Sequence, residues 1–519
     1  MGVTRLEFIK GALVLLGFGA FGGRRLFAAP KGWKPEKPAN LVFGVLSDTH
    51  LRTAVKGVRP GRNWSPKYFA AALEYFKARN VDAVVHCGDF AHRGQVEEMQ
   101  YHANYWNKFF PGGMAPGGHR VEKLFVTGNH DVDGSGYYGF CAKKYPDPAE
   151  RAKHVFSTDL AANWERIWGE KYEPLWHKEI KGYHFFGRNW AEDGMEFAKM
   201  INAQADKSGF KASSKPFFVL THRRPLAALR KSIARNPNAI SFFGHNHWSN
   251  ANWNTAYLYK GGLVAIQCAS CEPRGCNALV GDDWITKAKI EGLDKAGRGR
   301  QGFVVRVYDD MIVFERHEFS DGETSLGPDW VMPFEREEGK GKRPHPLSRE
   351  ERKKAIGEPQ FRKGAKLIVE DVSTGLTGLT GLSGAKPQTS DNLVNPVNPV
   401  QENSATPRLT PLATAIAARS ARGIRVRIPL ADGNPDSRVY AYEVVIEGSG
   451  KREEGSGRLC KAVYAAGCNM GIDHEPNGGV TTLDIPKSEL PPGKSLTFAV
   501  RPLTSLGTLG RPIMTEFKV

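Results

Sequence analysis

The sequence predicts an α/β layered fold followed by a smaller all-β domain, and three observations carry that expectation. Short β-branched or aromatic runs alternate with helical stretches between residues 40 and 320. Several of those runs end directly on Asp, His or Asn clusters, as when functional loops sit at the carboxyl ends of parallel strands. Beyond a charged interval, the last third alternates apolar and polar residues with the period of a strand. At 519 residues the chain suits two or three domains, and 40% hydrophobic with 24% charged residues is an ordinary globular composition.

Residues 41–46 read as a buried strand that stops just before Asp48. Ser65 and Pro66 open a helix to about residue 79, with serine as N-cap and proline in the first turn. A strand at 81–86 leads into Gly88-Asp89, a helix spans 95–110, and 124–126 leads into Gly128-Asn129-His130-Asp131. Residues 133–176 are aromatic and irregular apart from a helix at 159–168, an excursion of the kind that shapes a cleft. Its aromatics and those just after it (Tyr137, Tyr138, Trp164, Trp168, Trp190) suit a core, or stacking on a base. Strands at 183–186, 216–220, 240–243 and 263–266 follow, the second delivering His222 and the third His245 and His247. A hairpin of 303–307 and 311–314 closes a domain of residues 38–320.

Residues 321–357 are charged, mainly basic, and read as a linker. Residues 358–519 read as a β-sandwich, with strands at 366–369, 424–428, 439–446 and 496–501 and a low-complexity insertion at about 374–408. The turn Leu490-Pro491-Pro492-Gly493 resembles the approach to a late strand in fibronectin type III domains.

Residues 1–30 read as an export signal: Arg5 and Lys10 precede an apolar stretch, and Ala28 and Ala29 precede Pro30. Residues 4–10 resemble a twin-arginine signal, with Leu6 where the second arginine would stand. The stretch is short for a bilayer span, so a cleaved signal and a periplasmic or extracellular destination are expected, with a retained membrane anchor as the alternative. A net charge of +17 suits nucleic acid, an anionic polymer or an anionic membrane as partner, or a cationic surface that attracts a phosphorylated substrate, and nothing beyond that charge indicates nucleic acid. Of seven cysteines, Cys87 reads as a core thiol and Cys460 with Cys468 as a local disulfide. Cys268, Cys271 and Cys276 read as a disulfide, loop thiols or a metal-binding trio.

The clusters supply oxygen and nitrogen donors at successive strand ends. Two divalent ions roughly 3.5–4 Å apart need one carboxylate that bridges them. Asp89, alone at the end of a central strand, is the natural bridge. Asp48 and His50 can reach one ion, His245 and His247 can each face a different one, and Asn129 and His222 complete the set. Mixed imidazole and hard oxygen suits manganese, iron or zinc better than magnesium or calcium.

Taken in order, the five clusters (D-x-H, G-D, G-N-H-D, H and G-H-x-H) resemble the calcineurin-like metallophosphoesterase superfamily over roughly residues 40–320. The resemblance implies a four-layer α/β/β/α sandwich with Asp48, His50, Asp89 and His247 on a first ion and Asp89, Asn129, His222 and His245 on a second. It implies that His130 is catalytic, stabilising or protonating the leaving oxygen during in-line attack by a metal-bridging hydroxide on a phosphomonoester or phosphodiester. Arg93 matches a phosphate-contacting arginine of the phosphatase branch, and Arg223 and Arg224 are further candidates. His92 stands where that branch has an acidic residue orienting the catalytic histidine, which leaves Asp131 or another group for that task. His86, His92, His102, His119 and His184 read as core or surface residues. The competing expectation is a catalytically weak scaffold whose basic C-terminal half binds a polyanion or polymer of the cell envelope.

Overall fold

The structure, a computed structural model, describes residues 27–28, 37–52, 66–132, 143–208, 215–225, 227–233, 238–250, 255–258, 263–272, 290–291, 300–319, 324–325, 329–336, 342–344, 357–372, 423–432, 439–449, 457–465, 468–469, 472–473, 480–504 and 507–519. Residues 1–26, the Ser65 cap, Tyr137, Tyr138, Cys276 and the low-complexity insertion lie outside them.

The first half alternates as the sequence predicts. Strand β1 (Leu41–Leu46) is followed by α1 (Lys67–Ala78), β2 (Ala83–Cys87), α2 (Val96–Phe109), β3 (Glu122–Val126) and α3 (Leu160–Trp168). Asp159 caps α3 by accepting from the Ala162 N–H, and Gly169 ends it in the left-handed region. Then come β4 (Leu175–Ile180), β5 (Tyr183–Arg188), α4 (Gly194–Ser208), β6 (Phe217–Thr221), α5 (Ala227–Ile233), β7 (Ala239–Phe243) and β8 (Val264–Gln267). The hairpin β9 (Gln301–Val307) and β10 (Met311–Glu318) is followed by β11 (Trp330–Arg336).

One sheet runs β11-β10-β9-β1-β2-β3, with β1, β2 and β3 parallel and the hairpin antiparallel to β1. The other runs β4-β5-β6-β7-β8, parallel from β5 onward. Their facing sides share one apolar cluster, in which Phe43 meets Phe185, Phe218 and Phe242 with ring centroids 5.1–6.0 Å apart. Helices α1, α2 and α3 cover the outer face of the first sheet through Phe69, Phe76, Met99, Trp106 and Trp168. Helices α4 and α5 cover the second through Phe197, Ile201, Leu229 and Ile233. The result is the four-layer α/β/β/α sandwich. Burying both faces of each sheet is what forces its strands to be nearly continuous apolar runs.

Three boundaries differ from expectation. The first sheet does not close near residue 320, because β11, inside the expected linker, pairs with β10. Its run Trp330-Val331-Met332 is apolar enough to bury, but Pro333 and the following charges disguise it as linker. Phe27–Ala28, within the expected export segment, pairs with Val331 and Trp330 at the outer edge of the same sheet. Residues 290–291 pair with the C-terminal sheet instead of the first domain.

The C-terminal part is all-β. Strands β12 (Ile368–Asp371), β13 (Gly423–Ile428) and β16 (Thr481–Pro486) form one sheet. Strands β14 (Val439–Gly448), β15 (Arg458–Tyr464), β17 (Ser495–Thr504) and β18 (Ile513–Lys518) form another. Both contribute to a single apolar cluster that includes Val426, Ile485, Ile446 and Phe498. The first strand starts at Ile368, two residues later than expected. Cys460 is a free exposed thiol, so the expected Cys460–Cys468 disulfide is absent. Cys268 and Cys271 are free buried thiols, the former 3.7 Å from Cys87 across the sheet interface.

His86 and His102 lie in the core, as expected, His86 stacked on Phe90 and His102 tilted against Phe69 and edge-on to Trp168. Burial pushes His86 down to about 3 and His102 well below its ordinary value. A histidine depressed in the folded state stabilises the fold fully above its unfolded pKa and loses that contribution as pH falls. Thermal unfolding should therefore show acid destabilisation between about pH 6.5 and 3, by up to about 1.4 kcal/mol per pH unit per histidine. The His102→Leu variant should flatten that slope; an unchanged slope would mean His102 is not buried neutral.

Candidate metal centre

The predicted ligands sit on turns the backbone does not adopt freely. Asp48, His50, Asp89, His245 and His247 all have φ between 44° and 70°, and they are five of the nine non-glycine residues in that region among the described residues. Each such residue costs of the order of 1–3 kcal/mol, a cost held in place only by its surroundings. Here the surroundings are hydrogen bonds between neighbouring strand ends: Asp48 N–H to Gly88 O and His50 N–H to Asp89 O, both 2.9 Å. The Gly244 N–H donates to His222 O at 2.9 Å, and the His245 N–H to Asp48 Oδ2 at 3.0 Å. A side chain would not fit at two of the glycines. A Cβ on Gly128 would lie 2.2 Å from Asp89 Oδ1, and one on Gly244 would lie 1.9 Å from Ser47 Oγ.

These turns gather the side chains into two groups. Asp48, His50, Asp89 and His247 bring one donor atom each to within 4.8 Å of the others, and so do Asp89, His222 and His245. Asp89 belongs to both. In the first group His247 Nε2 is 3.0 Å from Asp48 Oδ1 and 3.1 Å from His50 Nε2, and His50 Nε2 is 3.6 Å from Asp89 Oδ2. In the second, His222 Nε2 is 3.2 Å from Asp89 Oδ2, while Asn129 Oδ1 is 3.0 Å from both His222 Nε2 and His245 Nδ1. All seven predicted ligands are therefore together.

The donor set fits divalent cations. Two imidazole nitrogens facing each other at 3.1 Å need a proton or a cation between them, and the adjoining carboxylates ask for positive charge. Burial works against ionising Asp48, yet His247 holds its carboxyl below the usual range. Burial also opposes protonation of His247 and His222. The facing carboxylates outweigh it, Asp48 and Glu272 raising His247 to about 10, and Asp89 and Asp48 raising His222 to about 9. His50, buried and ringed by His247, His130 and His92, is pushed well below its ordinary value. Cations bound between these donors would displace those protons.

His130 makes a ring contact with His50 at 4.4 Å between centroids. Its Nδ1–H donates to the backbone carbonyl of His92 at 2.9 Å. That carbonyl holds the His130 ring, and Asp131 contacts other groups. Asp131 accepts N–H groups from Asp89, Ala91 and Gly128 at 2.8–3.0 Å, tying the two loops together. His92, which the sequence reads as a core or surface residue, is buried, and its ring lies at the site with Nδ1 3.4 Å from His50 Nδ1. His119 and His184 are half-buried at Asp82 and His177, as expected of structural residues.

Glu272 was missed altogether. Its Oε2 is 3.0 Å from His247 Nδ1, and only the adjacency of β8 to β7 brings it there. Trp190 is half-buried against His222 and His245, with the Arg223 guanidinium over its ring at 5.5 Å, whereas Trp164 and Trp168 are core. Arg223 and Arg224 are exposed directly after His222, and Arg93 is half-buried after His92.

Residues 41–249 match the family model for calcineurin-like phosphoesterases. Solved structures that the chain is similar to include a Streptococcus pneumoniae TIGR4 protein described as a predicted phosphoesterase, at 16% identity and TM-score 0.24, covering 56% of this chain and 97% of that one. Vps29 of Entamoeba histolytica, solved with zinc, shares 10% identity at TM-score 0.25, covering 56% and 99%. A purple acid phosphatase from yellow lupin (Lupinus luteus) seeds shares 13% at TM-score 0.35, covering 58% and 55%. No curated protein matches the chain.

Cation uptake near pH 7 should release roughly one to two protons, because His222 and His247 hold theirs up to about 9 and 10. Calorimetric titration with Mn²⁺ in buffers of different ionisation enthalpy measures this directly. Affinity should rise with pH toward about 9; uptake without proton release would count against these two histidines as ligands.

Proposed function

We propose that this chain is a two-metal phosphoesterase that hydrolyses a phosphomonoester or phosphodiester by in-line attack, with His130 as its proton donor. The observation that carries the reading is Asp89, a buried carboxylate common to two donor groups, whose Oδ1 also accepts the His130 N–H at 2.8 Å. Asp48, His50, Asp89 and His247 would hold one divalent ion, and Asp89, Asn129, His222 and His245 the other, with manganese, iron or zinc suiting the donors. Bound there, the ions would supply Lewis acidity to the phosphoryl oxygens and lower the pKa of an attacking water.

The chain's own residues do the rest. A carbonyl can only accept, so His92 O keeps a proton on Nδ1 of His130, and it is the doubly protonated ring that would give its second proton, from Nε2, to the leaving oxygen. Asp131 keeps the Asp89 and Asn129 loops in mutual register. Arg223, resting on Trp190 beside the second group, is the best supported of the three arginines as a phosphate contact, ahead of Arg93 and Arg224. The reading as a polyanion-binding scaffold is less well supported, because basic residues of the C-terminal sheets are engaged with carboxylates: Arg425 with Asp484, Arg427 with Glu370 and Arg501 with Glu443. Export to the periplasm or cell exterior through residues 1–30 belongs to the same proposal.

The purified protein with Mn²⁺ should hydrolyse p-nitrophenyl phosphate or bis(p-nitrophenyl) phosphate. His130→Ala should lower kcat by roughly 10²–10⁴ with a smaller change in KM. Asp89→Asn should remove activity with both esters. Metal-dependent turnover of neither ester by the parent protein would overturn the enzyme reading.

A further inference from the structure

The two donor groups differ in what stands behind their histidines. His222 donates its Nδ1–H to a neutral acceptor, the Cys87 carbonyl, at 2.7 Å. His247 instead faces a carboxylate, with Glu272 Oε2 3.0 Å from Nδ1. Glu272 is 3% exposed, so its position is set by the fold and not by solvent. The segment carrying it is fastened to the same strand end as the ligands. Cys271 N–H donates to Ser47 O at 3.1 Å, Ser270 Oγ–H to Asp48 O at 3.1 Å, and Glu272 N–H to Ser270 Oγ at 3.0 Å. Ala269, two residues before Cys271, is held at φ 59°, a conformation alanine rarely adopts. A strained, tied-down segment thus delivers one buried carboxylate to the outer nitrogen of one candidate ligand.

We propose that Glu272 is a positioning residue for His247 and makes the Asp48/His50/Asp89/His247 group the tighter of two unequal cation sites. This rests on the two-metal reading above. A carboxylate can only accept, so it keeps a proton on Nδ1 and turns the Nε2 lone pair toward Asp48 and His50. It also makes the imidazole a stronger donor, and it adds a third negative charge near the first ion. The second group has only the shared Asp89 charge, with the neutral Cys87 carbonyl behind His222.

The test is calorimetric titration of the metal-free full chain with Mn²⁺ alone, comparing parent, Glu272→Gln and Glu272→Ala. The parent should bind two equivalents in a tight and a weak phase. Glutamine keeps an oxygen for the Nδ1–H but loses the charge, and should weaken the tight phase about tenfold; alanine loses both and should weaken it toward 100-fold. The weak phase should stay within about twofold. Unfolding in chelator should leave Glu272→Gln with the parent's midpoint, which makes it the deciding variant. Parent-like tight binding in both variants, or equal weakening of both phases by Glu272→Gln, would overturn the proposal. A parent chain that binds no Mn²⁺ would remove the two-metal reading itself, and this proposal with it.

Discussion

Asp48 and Asp89 bring carboxylates to a depth where they are 0% and 1% exposed, and burying an uncompensated carboxylate costs several kcal/mol. Much of the first half of the molecule answers that constraint. His247, His50 and His222 stand within 3.0–3.6 Å of the carboxylate oxygens, and the His130 and His245 backbone N–H groups donate to them. Compensation by protons is available, with His50 and His247 sharing one between Nε2 atoms 3.1 Å apart, but it leaves Asn129 and His245 without a part in it. Compensation by divalent cations satisfies every donor at once, which is why the arrangement reads as a metal centre.

The layers explain why the constraint can be met. Strands β1, β2 and β3 run parallel, so their carboxyl ends lie side by side, and β6 and β7 of the facing sheet end nearby. Each strand end contributes one cluster. Two sheets pressed together by Phe43, Phe185, Phe218 and Phe242 hold those ends at fixed separation. The left-handed turns at five candidate ligands are affordable only on such a frame, because short crossing hydrogen bonds oppose their relaxation.

What the sequence made legible follows from range. The ligands were legible because each lies within a few residues of its own strand end, where local pattern predicts direction. The strands of the first half were legible because burial on both faces writes long apolar runs. Glu272 was not, since a lone glutamate after a cysteine-containing loop has no local signature; its meaning depends on β8 lying beside β7. The orienting group of His130 was hidden for another reason: it is a backbone carbonyl, which any residue at position 92 would carry. Strand β11 was masked by Pro333 and the charges that follow it. The Cys460–Cys468 pairing came from spacing alone, which says nothing about which way two thiols face.

Asp89 is the proposed common ligand of two divalent ions. Anomalous diffraction from crystals of the Mn²⁺-loaded protein, collected on both sides of the manganese edge, tests that role most directly. Two anomalous peaks, both beside the Asp89 carboxylate, are expected. One of them should lie among Asp48, His50 and His247, and the other among Asn129, His222 and His245. A single peak, or two that do not share Asp89, would contradict it.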